Sequence, residues 1–143
     1  MSHLLGLFAS LSMFVVILFA INFIFLKIYK LEINFFDGFR FSVPTILFIY
    51  SGIIFDIGKN YLSNGKLDTM GDSDTIGLII LMMLGGFFLA SVYNSRLLNK
   101  FYNIELSYSD CFVKNFWVIL LAKIALVVIA IIIGLLLAIL DSL

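Results

Sequence analysis

Four apolar runs, each long enough to cross a lipid bilayer, dominate this 143-residue sequence: residues 4–26, 43–61, 75–95 and 116–140. A hydrocarbon core takes roughly 20 helical residues to cross. Inside it every backbone N–H and C=O must be paired within the protein, which leaves α-helices and closed β-barrels. Barrel strands alternate polar and apolar residues, and none of the four runs sustains such alternation. The runs therefore predict an all-α membrane protein: four transmembrane helices in an antiparallel bundle, as one domain. The second is the weakest, because Asp56 and Lys59 interrupt its far end.

Composition closes the alternatives. The chain is 63% hydrophobic and only 13% charged, whereas soluble domains are about 45–50% apolar and about 25% charged. It could not cover a core with a polar surface. Nine basic and nine acidic residues balance, so the basic stripe of a nucleic-acid partner is missing. A single cysteine, Cys111, excludes an internal disulfide or a CxxC pair, and a single histidine, His3, excludes a two-His metal or haem site. No cofactor or metal is expected. The first run has no basic residue before it and no small-x-small cleavage site before Lys27, so it reads as an uncleaved span rather than a signal peptide.

Loop charges predict orientation. Lys27, Lys30 and Arg40 lie in the first loop and Arg96, Lys100 and Lys114 in the third, against Lys59 and Lys66 in the second. Basic loops stay in the cytoplasm. Loops one and three are thus expected there, with both termini outside, in an arrangement that suits a bacterial inner membrane.

Local signals mark the ends of the spans. Ser42 can cap the second helix, with Pro44 in its first turn. Asp72-Ser73-Asp74 precedes the third helix, and Ser107 or Ser109 with Asp110 precedes the fourth. Asn64-Gly65 marks a turn. The first loop alternates partly around Asp37-Gly38, which permits a short hairpin or an interfacial segment with its phenylalanines in the headgroups. Leu97, Leu98, Phe101 and Tyr102 continue an apolar stripe past the third span. Helices from Asp74 to about Tyr102 and from about Ser109 to Leu140 would each exceed ~40 Å. Either they project into the cytoplasm as a hairpin turning near Asn103, or an amphipathic segment lies in the headgroups.

Two kinds of helix face stand out. Small residues at four-residue spacing let helices approach closely in lipid, and the fourth helix carries such a series in Ala130, Gly134 and Ala138. The third has Gly86 and Ala90 followed by Asn94, and the first has Gly6 and Ser10. On the second helix Thr45, Gly52, Asp56 and Lys59 fall within about 60° of one another, with Asn60 close by. This polar, small face should point into the bundle or a wet crevice. Asn22 of the first helix is a further intramembrane polar candidate.

Charges within spans are costly and mark function or a buried pair. Lys123 shares a face with Ala130 and Gly134 and has two readings, a side chain that snorkels to the nearer surface or a partner of Asp56. The depths of the two residues in their spans oppose a relaxed pair. Asp56 can be paired with Lys59 one turn on, can be a protonatable carboxylate in a translocation path, or can meet a partner subunit. Asp68, Asp72 and Asp74 could hold a divalent cation, but no EF-hand ligand series follows and capping accounts for two of them. Cys111 reads as a small interfacial residue, or as an acylation site in a eukaryote.

No Gly-rich phosphate loop, Ser/His/Asp set or clustered intramembrane acid pair is present, so an enzyme is not expected. One functional expectation is a non-catalytic protein that binds another membrane protein, or itself, within the bilayer. It would be an accessory or assembly subunit of a complex, or an immunity-type inhibitor of a membrane-targeting toxin. The alternative is a small oligomeric channel or proton-coupled transporter that uses Asp56. No motif identifies a family.

Overall fold

The computed structural model describes residues 2–65 and 73–142. Among these residues there are five helices and no strand: α1 (Ser2–Tyr29), α2 (Phe39–Ile49), α3 (Ser51–Asn64), α4 (Ser73–Tyr102) and α5 (Tyr108–Asp141). Stretches of α1, α4 and α5 (Gly6–Tyr29, Thr75–Tyr102 and Tyr108–Asp141) are long and apolar enough to cross a membrane. The second expected span is two helices, α2 and α3, bent by 61°. The chain therefore has three candidate spans, or four if the bent pair counts as one. At 1.5 Å per residue, 11 and 14 residues joined at 61° still reach about 32 Å end to end, against a core of about 30 Å.

The chain divides into two compact units. The first comprises residues 1–38 and 117–143. Here α1 ends in a Schellman motif: Lys30 adopts φ 53°, the Leu31 N–H donates to Leu26 O at 3.0 Å, and the Lys30 N–H donates to Lys27 O at 3.2 Å. The loop that follows is knitted onto α1 instead of forming the permitted hairpin. Asn34 Oδ1 accepts the Phe36 N–H at 3.0 Å, and Asn34 O accepts the Asp37 N–H at 3.0 Å. This Asx turn satisfies the backbone locally, in competition with a strand ladder. Phe35 and Phe36 then fold against Phe19, with ring centroids 5.3 and 6.4 Å away.

The second unit comprises residues 39–116. Its α2 begins at Phe39, so Ser42 is not the cap that the sequence predicts; it lies inside the helix, 1% exposed. Pro44 consequently sits in the sixth helical position instead of the first turn. It lacks the N–H that would bond to Arg40 O, four residues back. The structure supplies a substitute, since the Tyr93 hydroxyl of α4 donates to Arg40 O at 3.0 Å.

At the break, the Tyr50 N–H still donates to Ile46 O at 2.9 Å, and Tyr50 O accepts the Ile54 N–H at 3.0 Å. Both α2 and α3 pack along α4, and glycine permits the approach. A Cβ on Gly86 would overlap the Phe48 carbonyl, and one on Gly52 would sit 2.9 Å from Ile79 O. Gly65, at φ 68°, closes α3 with its N–H on Tyr61 O at 2.8 Å.

The expected long helices are present, with the turn where the sequence places it. α4 runs 30 residues to Tyr102, Asn103 takes φ 54°, and α5 runs 34 residues from Tyr108. Ser107 caps α5, accepting the Asp110 N–H on its Oγ at 3.1 Å and donating to Asp110 Oδ2 at 2.7 Å. The Asp72-Ser73-Asp74 cap and the acids Asp68, Asp72 and Asp74 lie outside the described residues or side chains.

Candidate functional site in the polar core of the second unit

Three helices of the second unit each contribute polar side chains to one buried cluster. Thr45 (α2), Ser91 and Asn94 (α4) and Asn115 (α5) are all at most 1% exposed. Asn94 is the hub. Its Nδ2 donates to Thr45 Oγ1 at 2.8 Å and to Asn115 Oδ1 at 3.1 Å. Asn115 Nδ2 in turn donates to Ser91 Oγ at 3.4 Å. Each hydroxyl passes its own proton to the helix it stands on: Thr45 to Phe41 O and Ser91 to Phe87 O, both at 2.6 Å. Each thus accepts from an amide and donates to a carbonyl. Interhelical bonds of this kind are worth about 0.6 kcal/mol each in lipid, up to about 1.7.

Hydroxyls and carboxamides carry no charge to exchange, so this cluster fastens α2, α4 and α5 together and offers neither a nucleophile with a base nor a metal-ligand set. Among the described residues no group of three or more His, Cys, Asp or Glu could hold a metal ion. Around the cluster, Ala90, Leu98 and Cys111 are fully buried, and Phe87 meets Phe112 with ring centroids 5.5 Å apart. Cys111 is thus an interior residue of this unit.

The polar face predicted for the second span is mostly turned inward. Thr45, Gly52, Asp56 and Asn60 are buried, whereas Lys59 is exposed. The buried residues of α3, Gly52, Asp56 and Asn60, form an arc centred on Asp56, and Lys59 lies about 60° off that centre. Asp56, 1% exposed, is the one charged side chain buried among the described residues. Asn60 Oδ1 accepts from Asn64 Nδ2 at 2.7 Å.

The other candidates fall into three groups. Asn22 is fully buried in the first unit, where its Nδ2 donates to Phe35 O at 2.6 Å and ties the first loop to α1. Gly86 and Ala90 are packed, as is Gly52. Lys123, Ala130, Gly134 and Ala138 are all exposed, and a Cβ on Gly134 would meet nothing within 4 Å. Gly6 is likewise open, and the Ser10 hydroxyl bonds to Gly6 O of its own helix at 2.9 Å.

Sequence reasoning passed over Ser91 and Asn115. Ser91 is three residues from Asn94, which puts them on one helical face. Asn115 is the only strongly polar residue between Lys114 and Lys123; it lies just before the span drawn from residue 116 but inside the longer helix expected from about Ser109. Its membership of α5 was the signal. Compared with protein-family models, curated proteins and solved structures, the chain matches none of them.

Proposed function

We propose that this chain is a non-catalytic integral membrane protein that acts by binding another membrane protein within the bilayer. In this reading α2 and α3 together form the second of four spans in an antiparallel bundle. Both termini face outward, and the α4–α5 turn projects into the cytoplasm of a cell with a bacterial-type inner membrane. The partner is a complex that the chain helps to assemble, a toxin that it blocks, or a second copy of the chain.

One observation carries the reading. From Lys123 onward nearly the whole circumference of α5 is exposed, including Ala130, Gly134 and Ala138 at four-residue spacing. The polar chemistry of the second unit, by contrast, is largely occupied by its own helices. Small-residue faces are where helices meet in lipid, and this one is bare. Affinity purification from native membranes in mild detergent should recover a stoichiometric partner with the wild type and lose it with Gly134→Leu, at unchanged thermal stability. A lone monomer from the wild type would count against the proposal.

Asp56 supports a second reading, a small channel or proton-coupled carrier. It is a buried carboxylate on a half-helix, and broken spans with intramembrane acids recur in transport pathways. Liposomes containing the purified protein would then show proton or cation flux that Asp56→Asn abolishes. Such flux would displace the binding-protein reading, and its absence would remove the carrier reading.

A further inference from the structure

We propose that a groove between α2 and the C-terminal third of α4 binds a single anionic phospholipid. The groove encloses about 530 Å³, and its lining includes Arg40, Pro44, Tyr93, Leu97, Phe101 and Tyr102. This is within the usual size range of ligand sites, with room for a glycerophosphate and the first methylenes of its chains. Its floor is Phe41, 1% exposed, whose ring centroid lies 5.8 Å from that of Tyr102. The wall is held in place by the bond from the Tyr93 hydroxyl to Arg40 O, at the acceptor that Pro44 leaves free.

The chemistry of the lining is that of an amphiphile's receptor. Arg40 supplies an exposed guanidinium, and the remaining side chains are aromatic, aliphatic or proline. A guanidinium matches a phosphate with two parallel hydrogen bonds. Depth fits as well. Arg96 is the first charged residue of α4 after Asp74, so Tyr93 and Leu97 straddle the level at which the apolar run ends. Tyrosine is enriched at that headgroup level. Arg96 and Lys100, both exposed, add positive charge to this end of α4, against Glu105 in the loop that follows. Within the groove itself Arg40 supplies the charge and none of the described lining residues is acidic, so an anionic headgroup suits the site better than a zwitterionic one. The proposal requires only that the chain lie in a bilayer, and it stands apart from the binding of a protein partner.

Native mass spectrometry of the full chain in mild detergent tests it, with phosphatidylglycerol and phosphatidylcholine of identical acyl chains supplied in equal amounts. The wild type should retain one phosphatidylglycerol in roughly fivefold preference, the factor that one basic side chain contributes at an anionic surface. Arg40→Gln should bring the preference near parity, and Leu97→Trp, which fills the groove, should reduce retention of both lipids. Arg96→Gln with Lys100→Gln should leave the preference standing. The proposal is overturned if Arg40→Gln keeps the preference, or if Leu97→Trp retains both lipids as the wild type does. It is also overturned if the double variant alone erases the preference, which would indicate diffuse surface attraction. Displacement of the lipid by an equal concentration of inorganic phosphate would mean a free-anion site, and would overturn it too.

Discussion

Pro44 and Tyr93 show how one missing hydrogen-bond donor propagates to a distant residue. A proline inside a helix leaves the carbonyl four residues back without its amide and crowds it with the ring. Tyr93, 53 positions along the chain from Arg40, reaches that carbonyl with its hydroxyl. Tyr93→Phe should therefore cost about 0.5–1.5 kcal/mol, the net worth of one hydrogen bond. In a Pro44→Ala background the restored Ala N–H can take the same acceptor, so most of that cost should vanish. Thermal unfolding of the four proteins in detergent gives the coupling directly as a double-mutant cycle. Equal costs in both backgrounds would show that the hydroxyl does not stand in for the amide. Asn94 likewise reaches across helices, with its amide Nδ2 directed at acceptors on two others.

At the scale of the element, glycines on one helix have opposite roles. Gly85 and Gly86 are neighbours in α4, yet a Cβ on Gly85 meets nothing while one on Gly86 would overlap the Phe48 carbonyl. The obstacle is backbone, so α2 would have to move off α4. Gly86→Ala is expected to destabilise by about 1–3 kcal/mol, as overpacking does. Gly85→Ala should be neutral, or stabilising by up to about 1 kcal/mol through helix propensity. Comparing their unfolding midpoints checks the close approach of α2 and α4, and equal midpoints would refute it. Spacing selects Gly86, which heads the series Gly86, Ala90 and Asn94, but only the facing backbone shows whether such a series is packed. The same holds for Gly134, whose spacing from Ala130 and Ala138 signals a packing face while its surroundings within the chain are empty.

At the scale of the whole molecule the bend at Tyr50 decides the topology. If α2 and α3 form one bent span, the first loop and the α4–α5 turn lie on the same side of the membrane and the end of α3 lies on the other. If instead they form a re-entrant loop, the end of α3 returns to the side of the first loop and the α4–α5 turn falls opposite. Single cysteines replacing Glu32, Ser63 and Glu105 in a Cys111→Ser background can be labelled from one side of sealed vesicles. Glu32→Cys and Glu105→Cys should react together, with Ser63→Cys protected. Reaction of Ser63→Cys alongside Glu32→Cys would establish the re-entrant form. Six basic residues in loops one and three against two in loop two favour the first outcome through the positive-inside bias.

The sequence by itself determined the features that depend on short-range physics. Apolar length and the bilayer's demand for satisfied backbone predict a helical chain with four spans, and the structure has three long apolar helices, with the second run as a bent pair. Capping chemistry at Ser107 and Asp110, the left-handed turn at Asn103 and the stop at Gly65 need only a few neighbouring residues, and the structure has all three. The inward face of Thr45, Gly52, Asp56 and Asn60 was legible because a helix repeats every 3.6 residues. Tertiary structure alone decided the rest. The second span broke at Tyr50, α2 began before Ser42 and Pro44, and Lys59 turned outward. Asn94 found Asn115 and Thr45 on two other helices, and the first loop folded back on α1 instead of pairing as strands. Each of these depends on which helix surface arrives opposite a given residue, and at what distance. That is set by close packing between segments far apart in the chain, to which the pattern along any one of them is blind.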